Sequence, residues 1–177
     1  RRKVWCIMSK LYERGVVQYK NAEFNWKSRS TNDIYVDTAC FNLHQAIEFL
    51  LKYLIEMTGN IYPETHDLSV LIENLKNYNS SSKTFECIEK KANVYNTWYT
   101  DVLRVDSFIA SVYDIEDAFK ICNGLFELIN EIRTSVGIPA EAITWCRNNA
   151  PEALKGASDS ELWKYMENIY YKYSGGE

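Results

Sequence analysis

The chain has 177 residues, 46% of them apolar and 25% charged, which is the composition of one soluble globular domain with at most a tail. Seven glycines and three prolines exclude a collagen, a low-complexity coil and a turn-rich sandwich, and no run of about 18 apolar residues is present to span a membrane. The net charge of −4 conceals an asymmetry: residues 1–29 carry eight Lys/Arg against Glu13 and Glu23, and the remainder carries 12 basic against 22 acidic side chains.

In chain order, residues 4–14 and 17–28 read as weak helices, with Gly15 as a candidate break. The strongest periodicity runs from Asp33 to Met57, where Ala39, Leu43, Ala46, Ile47, Leu50, Leu51 and Leu54 share one face. Thr38, Asn42, Gln45, Glu48, Lys52 and Glu56 gather opposite and read as a polar side. Ser30, Thr31, Asn32 and Asp33 are candidate N-caps, and Gly59-Asn60 supplies the stop. A shorter helix is predicted over about Asp67 to Tyr78 and another over Lys83 to Trp98, joined by the loop Asn77–Ser82. Ile115, Ala118, Phe119, Cys122, Leu125, Phe126, Ile129 and Ile132 mark a second strong helix, Asp114 to Ser135, closed by Gly137 and Pro139. Two short helices follow, near 140–147 and 159–173, separated by a turn through Asn148, Asn149 and Pro151. Nothing alternates with period two and nothing repeats at 30–50 residues, so neither a sheet nor a solenoid is expected. The fold class that remains is all-α, an antiparallel up-and-down helical bundle.

Five widely spaced cysteines (Cys6, Cys40, Cys87, Cys122, Cys146) and two histidines form no C-x-x-C pair and no metal-ligand spacing. Reduced, mostly buried thiols are expected, with no metal and no cofactor. An isoelectric point near 5.3 argues against a dedicated nucleic-acid binder, although the basic N-terminal arm has the charge to touch a polyanion or the acidic body of another subunit. No secretion signal is recognised, and a cytoplasmic location is expected.

Gln45, Glu48 and Lys52 lie on one helical stripe, with Glu48 and Lys52 four residues apart in the favourable order. They form either a solvated ion pair or a polar groove in which Lys52 meets a phosphate. Thr65-His66-Asp67 stands where the third helix begins, so Thr65 or Asp67 caps it and His66 either ties the loop across to a helix or acts as a base. His44, at the border of the apolar face, reads as a satisfied, partly buried histidine. Asp101 and Arg104 sit beside Trp98, Tyr99 and Asp106, an arrangement suited either to a helix-end tie or to stacking a base and holding its phosphate. A Gly-rich phosphate loop is absent.

Two of these segments carry a resemblance. The Gln-Ala-x-Glu-x-x-x-Lys helix (Gln45, Ala46, Glu48, Lys52), the Pro63-Glu-Thr-His-Asp-Leu68 turn and, more loosely, Tyr99-x-x-x-x-Arg104 resemble the HEPN domain, the "higher eukaryotes and prokaryotes nucleotide-binding" helical bundle. The resemblance covers about residues 17–135. It implies a bundle of the nucleotidyltransferase substrate-binding-subunit type, here with extra C-terminal helices. The segmentation expected is a basic arm or helix over 1–16, the bundle over 17–135 and an extension over 136–177. It also implies a homodimer working beside a minimal nucleotidyltransferase, with a toxin–antitoxin setting among the family's contexts. Several such domains are metal-independent ribonucleases marked by an Arg followed, after four to six residues, by a His. No arginine in this chain has that partner.

The reading is therefore a non-catalytic nucleotide- or RNA-binding module without membrane contact. Lys52 and Arg104 are expected at phosphate, Tyr99 at a stacked base and His66 in positioning, with Gln45, Glu48 and Asp101 in support. A ribonuclease using a displaced His66–Arg104 pair is the enzymatic alternative. A structural adaptor using the aromatic tail (Trp163, Tyr165, Tyr170, Tyr171, Tyr173) is the third.

Overall fold

A computed structural model of the chain describes residues 10–76, 82–102, 108–135 and 140–174, and every regular element among them is helical. The helices are α1 (Leu11–Ser28), α2 (Ile34–Met57), α3 (Leu68–Leu75), α4 (Lys83–Thr100), α5 (Val112–Ser135), α6 (Ala140–Asn149) and α7 (Asp159–Ser174). A single 3-10 turn, Glu152–Leu154, precedes α7. The described residues fall into two units, one up to Leu128 and one from Ile129 onward.

In the first unit, paired contacts show the helix directions. Asn25 meets Asn42 near the α1–α2 turn, while Tyr12, at the far end of α1, packs on Tyr53, so the two helices are antiparallel. Tyr12 also meets Phe126 and Tyr19 meets Phe119, which runs α5 antiparallel to α1. Asp67 pairs with Asn96 and Lys76 with Glu89, setting α3 against α4. Lys91 bonds Asp114 and Asp117, and Tyr95 reaches the Asp114 carbonyl, setting α4 against α5. The result is the antiparallel all-α bundle expected from periodicity.

Gly15 does not break a helix. α1 runs through it without interruption from Leu11 to Ser28. The glycine serves close approach instead: a Cβ there would come within 2.9 Å of Cγ and Cδ2 of Leu50, a fully buried α2 residue. The segment 4–9 of the expected first helix lies outside the described residues.

The apolar face of α2 is buried as predicted, Ala39, Leu43, Ala46, Ile47, Leu50 and Leu51 being wholly inaccessible. Each large member of it contributes about 1.5–3 kcal/mol. Its opposite side is not a solvated face. Asn42, Glu48 and Lys52 are 8%, 1% and 8% exposed, because α2 is covered by α1 on one side and by α3 and α4 on the other. Burial then obliges these polar groups to find partners. Asn42 accepts from Asn25 Nδ2 (2.9 Å) and donates to Gln18 Oε1 (2.7 Å) across the α1–α2 contact. Among the N-cap candidates, Asn32 supplies the acceptor, its Oδ1 taking the Ile34 N–H at 2.9 Å. Gly59, at φ +81°, ends α2 in the left-handed conformation.

The second unit has a core of its own. Ala142, Cys146, Ala150, Leu162, Trp163 and Met166 are buried together, with Trp145, Tyr170 and Tyr171 packed against them. Most of the aromatic tail is thus interior material, and only Tyr165 and Tyr173 of the five tail aromatics are exposed. Arg147 donates to the carbonyls of Lys155 and Ala157 and pairs with the Asp159 carboxylate, closing the turn between α6 and α7. Ser158 and Glu161 form a reciprocal capping box: the Ser158 N–H donates to Glu161 Oε2 (3.0 Å) and the Glu161 N–H to Ser158 Oγ (3.3 Å).

Of the cysteines, Cys40, Cys122 and Cys146 are buried and Cys87 is exposed, all as free thiols; Cys6 lies outside the described residues. Burial pushes the Cys40 thiol up to about 12, so it is inert at neutral pH. No helix among the described residues is long and apolar enough to cross a membrane.

Candidate functional site

The polar stripe of α2 and the turn after it meet at one end of the bundle. Asp67 stands in extended conformation (φ −78°, ψ 111°) ahead of α3, and its Oδ1 accepts from the Ser69 N–H at 2.8 Å, a side-chain N-cap. The same oxygen accepts from Asn96 Nδ2 of α4 (2.9 Å), and Asn96 Oδ1 takes the Leu68 N–H (3.0 Å). Burial opposes the ionised carboxyl, but the bonds from Asn96 and Ser69 outweigh it and hold the Asp67 pKa below the usual carboxylate value. Thr65 takes the smaller part, its Oγ1 accepting from the Asp67 N–H.

These caps hold His66 directly over α2, where Glu48 collects three donors. Lys52 Nζ donates to Glu48 Oε1 at 2.7 Å, and Gln45 Nε2 donates to Oε2 at 3.0 Å. His66 Nδ1 lies 3.0 Å from the same Oε2. A carboxylate only accepts, so Nδ1 carries the proton in that bond. The side chain of Glu48 is 2% exposed and that of Lys52 9%, whereas 53% of the His66 side chain is open to solvent. The Lys52 ammonium also lies 5.4 Å from the Tyr62 ring centroid.

His44, one turn before Glu48, is wholly buried. Its Nδ1 is 3.9 Å from Glu48 Oε2, a separation at which a charged imidazole would form an ion pair. Burial wins over that attraction and lowers the His44 pKa to about 4, so the ring is neutral at physiological pH. Nε2 then donates to the His66 carbonyl at 3.0 Å, and Nδ1 has no hydrogen-bond partner among the described residues. The sequence reading of a satisfied, partly buried histidine is corrected on both points.

An aromatic stack joins this cluster to α4. The Tyr99 ring lies 4.1 Å from the His66 ring at 21°, 5.3 Å from His44 at 29° and 5.9 Å from Phe41 at 15°. His66, the most exposed of these rings, is its outer member.

Of the residues expected at the site, Gln45, Glu48, Lys52, His66 and Tyr99 come together. Arg104 and Asp106 lie outside the described residues. Asp101 is half-buried at the end of α4, where its N–H donates to the Thr97 carbonyl. Sequence reasoning missed the parts played by His44, Asn96, Phe41 and Tyr62. For His44 a signal existed, its spacing of four residues ahead of Glu48; for Asn96 there was none, because its partners are 28 and 29 residues away.

A bundle of antiparallel helices, with a buried carboxylate pinning a loop histidine against an aromatic stack, is the class of protein defined so far. A profile of the HEPN domain matches residues 8–132. The chain belongs to the HEPN-domain family, and membership points to nucleotide- or RNA-related function in general. No curated protein and no solved structure matches the chain.

Proposed function

We propose that the protein is a non-catalytic nucleotide- or RNA-binding module, and that the His66–Tyr99 end of the bundle is its contact surface. The observation that carries this is the anchoring of a half-exposed imidazole by a buried carboxylate. Glu48 accepts the hydrogen bond from Nδ1, which fixes the ring and leaves Nε2 available to a ligand hydroxyl, phosphate or base edge. The outer face of the His66 ring extends the Tyr99 stack toward a base. Lys52, beside the cluster through its bond to Glu48, and Arg104, carried over from the sequence, are the residues we assign to the phosphate. A homodimer acting beside a minimal nucleotidyltransferase is the assembly we assign on the family resemblance, and a cytoplasmic setting goes with it.

We keep the segmentation read from the sequence, a basic N-terminal helix or arm over 1–16, the binding bundle over 17–135 and an extension over 136–177, with the first boundary lying inside the continuous α1. Fluorescence anisotropy with labelled single-stranded RNA and with nucleotides tests the binding role. His66→Ala should weaken binding about tenfold, the loss of one stacked base being worth about 1–3 kcal/mol, with unchanged helicity. Equal dissociation constants for wild type and variant would refute it.

The Glu48–His66 hydrogen bond also favours one rival, a metal-independent ribonuclease with His66 as general base. Incubation with RNA in a chelator decides between the two. Cleavage that disappears in His66→Ala would replace the binding role by catalysis; intact RNA supports the binding role.

A further inference from the structure

A second polar feature lies elsewhere in the first unit, between α4 and α5. Lys83, Cys87, Lys90 and Lys91 recur at intervals of four, three and one along α4, and so share a face; Asp117, Lys120 and Ile121 do the same on α5. Together with Thr84 they line a cleft of about 330 Å³, which is within the range of small-molecule sites. Tyr99 lies at the opposite end of α4 from Lys83 and Cys87, so the cleft is separate from the Glu48–His66 cluster.

Its charge is strongly one-signed for a protein of net charge −4. Four lysines line it against one carboxylate. Lys91 is engaged by Asp114 (2.7 Å) and Asp117 (2.6 Å), and Lys120 stands 3.6 Å from Asp117. Lys83 and Lys90 have no carboxylate partner among the described residues. The acidic residues of α4 do not compensate them in the cleft, since Glu86 and Glu89 are outside its lining and Glu89 pairs with Lys76. The walls are lysine stems, the Cys87 thiol and Ile121, apolar surface beneath a rim of ammonium groups.

We infer that this cleft binds a small organic polyphosphate, its charged end held by Lys83, Lys90 and Lys120 and its body seated on Cys87 and Ile121. The volume admits one such molecule and no folded partner. Lys91, fixed by its two aspartates, positions the wall of the cleft.

Isothermal titration of the full chain with inorganic pyrophosphate, a nucleoside diphosphate and a sugar bisphosphate, at matched ionic strength, provides the test. Alkylation of the Cys87-containing peptide by iodoacetamide, followed by mass spectrometry, reports occupancy at the cleft itself. Saturable binding by at least one phosphate, slower Cys87 alkylation and about tenfold weaker binding in Lys83→Gln/Lys90→Gln are the expected results. A nucleoside diphosphate or sugar bisphosphate binding more tightly than pyrophosphate identifies which body the apolar wall accepts. His66→Ala should bind pyrophosphate and the sugar bisphosphate as wild type does and should show the same ligand-dependent slowing of Cys87 alkylation, which separates this site from the one proposed above. No saturable binding, undiminished affinity in the double variant, or alkylation of Cys87 unaffected by ligand would each overturn the inference.

Discussion

Glu48 is 1% exposed and still makes three hydrogen bonds, one of them to a buried lysine. A buried ion pair gains little over a well-packed apolar pair, but removing one partner strands the other charge. Glu48→Gln should therefore cost about 3 kcal/mol in urea unfolding. Adding Lys52→Met should restore part of that loss; a double variant no better than the single one would show that Lys52 is not the stranded group. His44 gives a second residue-scale prediction. Its pKa falls from 6.5 in the unfolded chain to about 4 in the fold, so the unfolded chain binds the extra proton between those values. The stabilisation is complete above pH 6.5 and drains away as pH falls toward 4, amounting to about 2 kcal/mol lost by pH 5. His44→Gln should flatten that part of the profile, and equal slopes between pH 7 and 5 for the two proteins would contradict the assignment.

Gly15 shows what periodicity leaves out at the scale of an element. In a helical pattern a glycine signals either a break or a close approach, and the choice depends on Leu50, 35 positions away. Alanine is the better helix former by about 1 kcal/mol, yet overpacking a filled contact costs about 1–3 kcal/mol. Gly15→Ala should lower the unfolding free energy by about 1 kcal/mol; a stabilised variant would mean that Leu50 moves aside freely. The sequence left the polar side of α2 open between a solvated pair and a polar groove for a related reason. Amphipathic reasoning assigns a helix one buried face, whereas a helix touched by α1, α3 and α4 also buries Asn42, Glu48 and Lys52 on its polar side. Helix ends were more legible, since Asp67 and Gly59 act within a few residues of themselves.

At the scale of the molecule, the bundle was readable because apolar spacing at three and four residues on α2 and α5 is local information. The site was half readable. Gln45, Glu48 and Lys52 announce a stripe, and the Pro63–Leu68 turn announces a loop, but nothing local says that the turn folds back onto the stripe. That closure, with Tyr99 arriving from α4, makes the His66 surface on which the proposed binding role rests.

The chain has two histidines, one buried and one half-exposed, which permits a direct test. Nitrogen-15 spectra of the imidazole rings, recorded while single-stranded RNA is added, should show the His66 signals moving saturably and by more than those of His44. His66 signals that stay in place up to the highest RNA concentration would contradict the account.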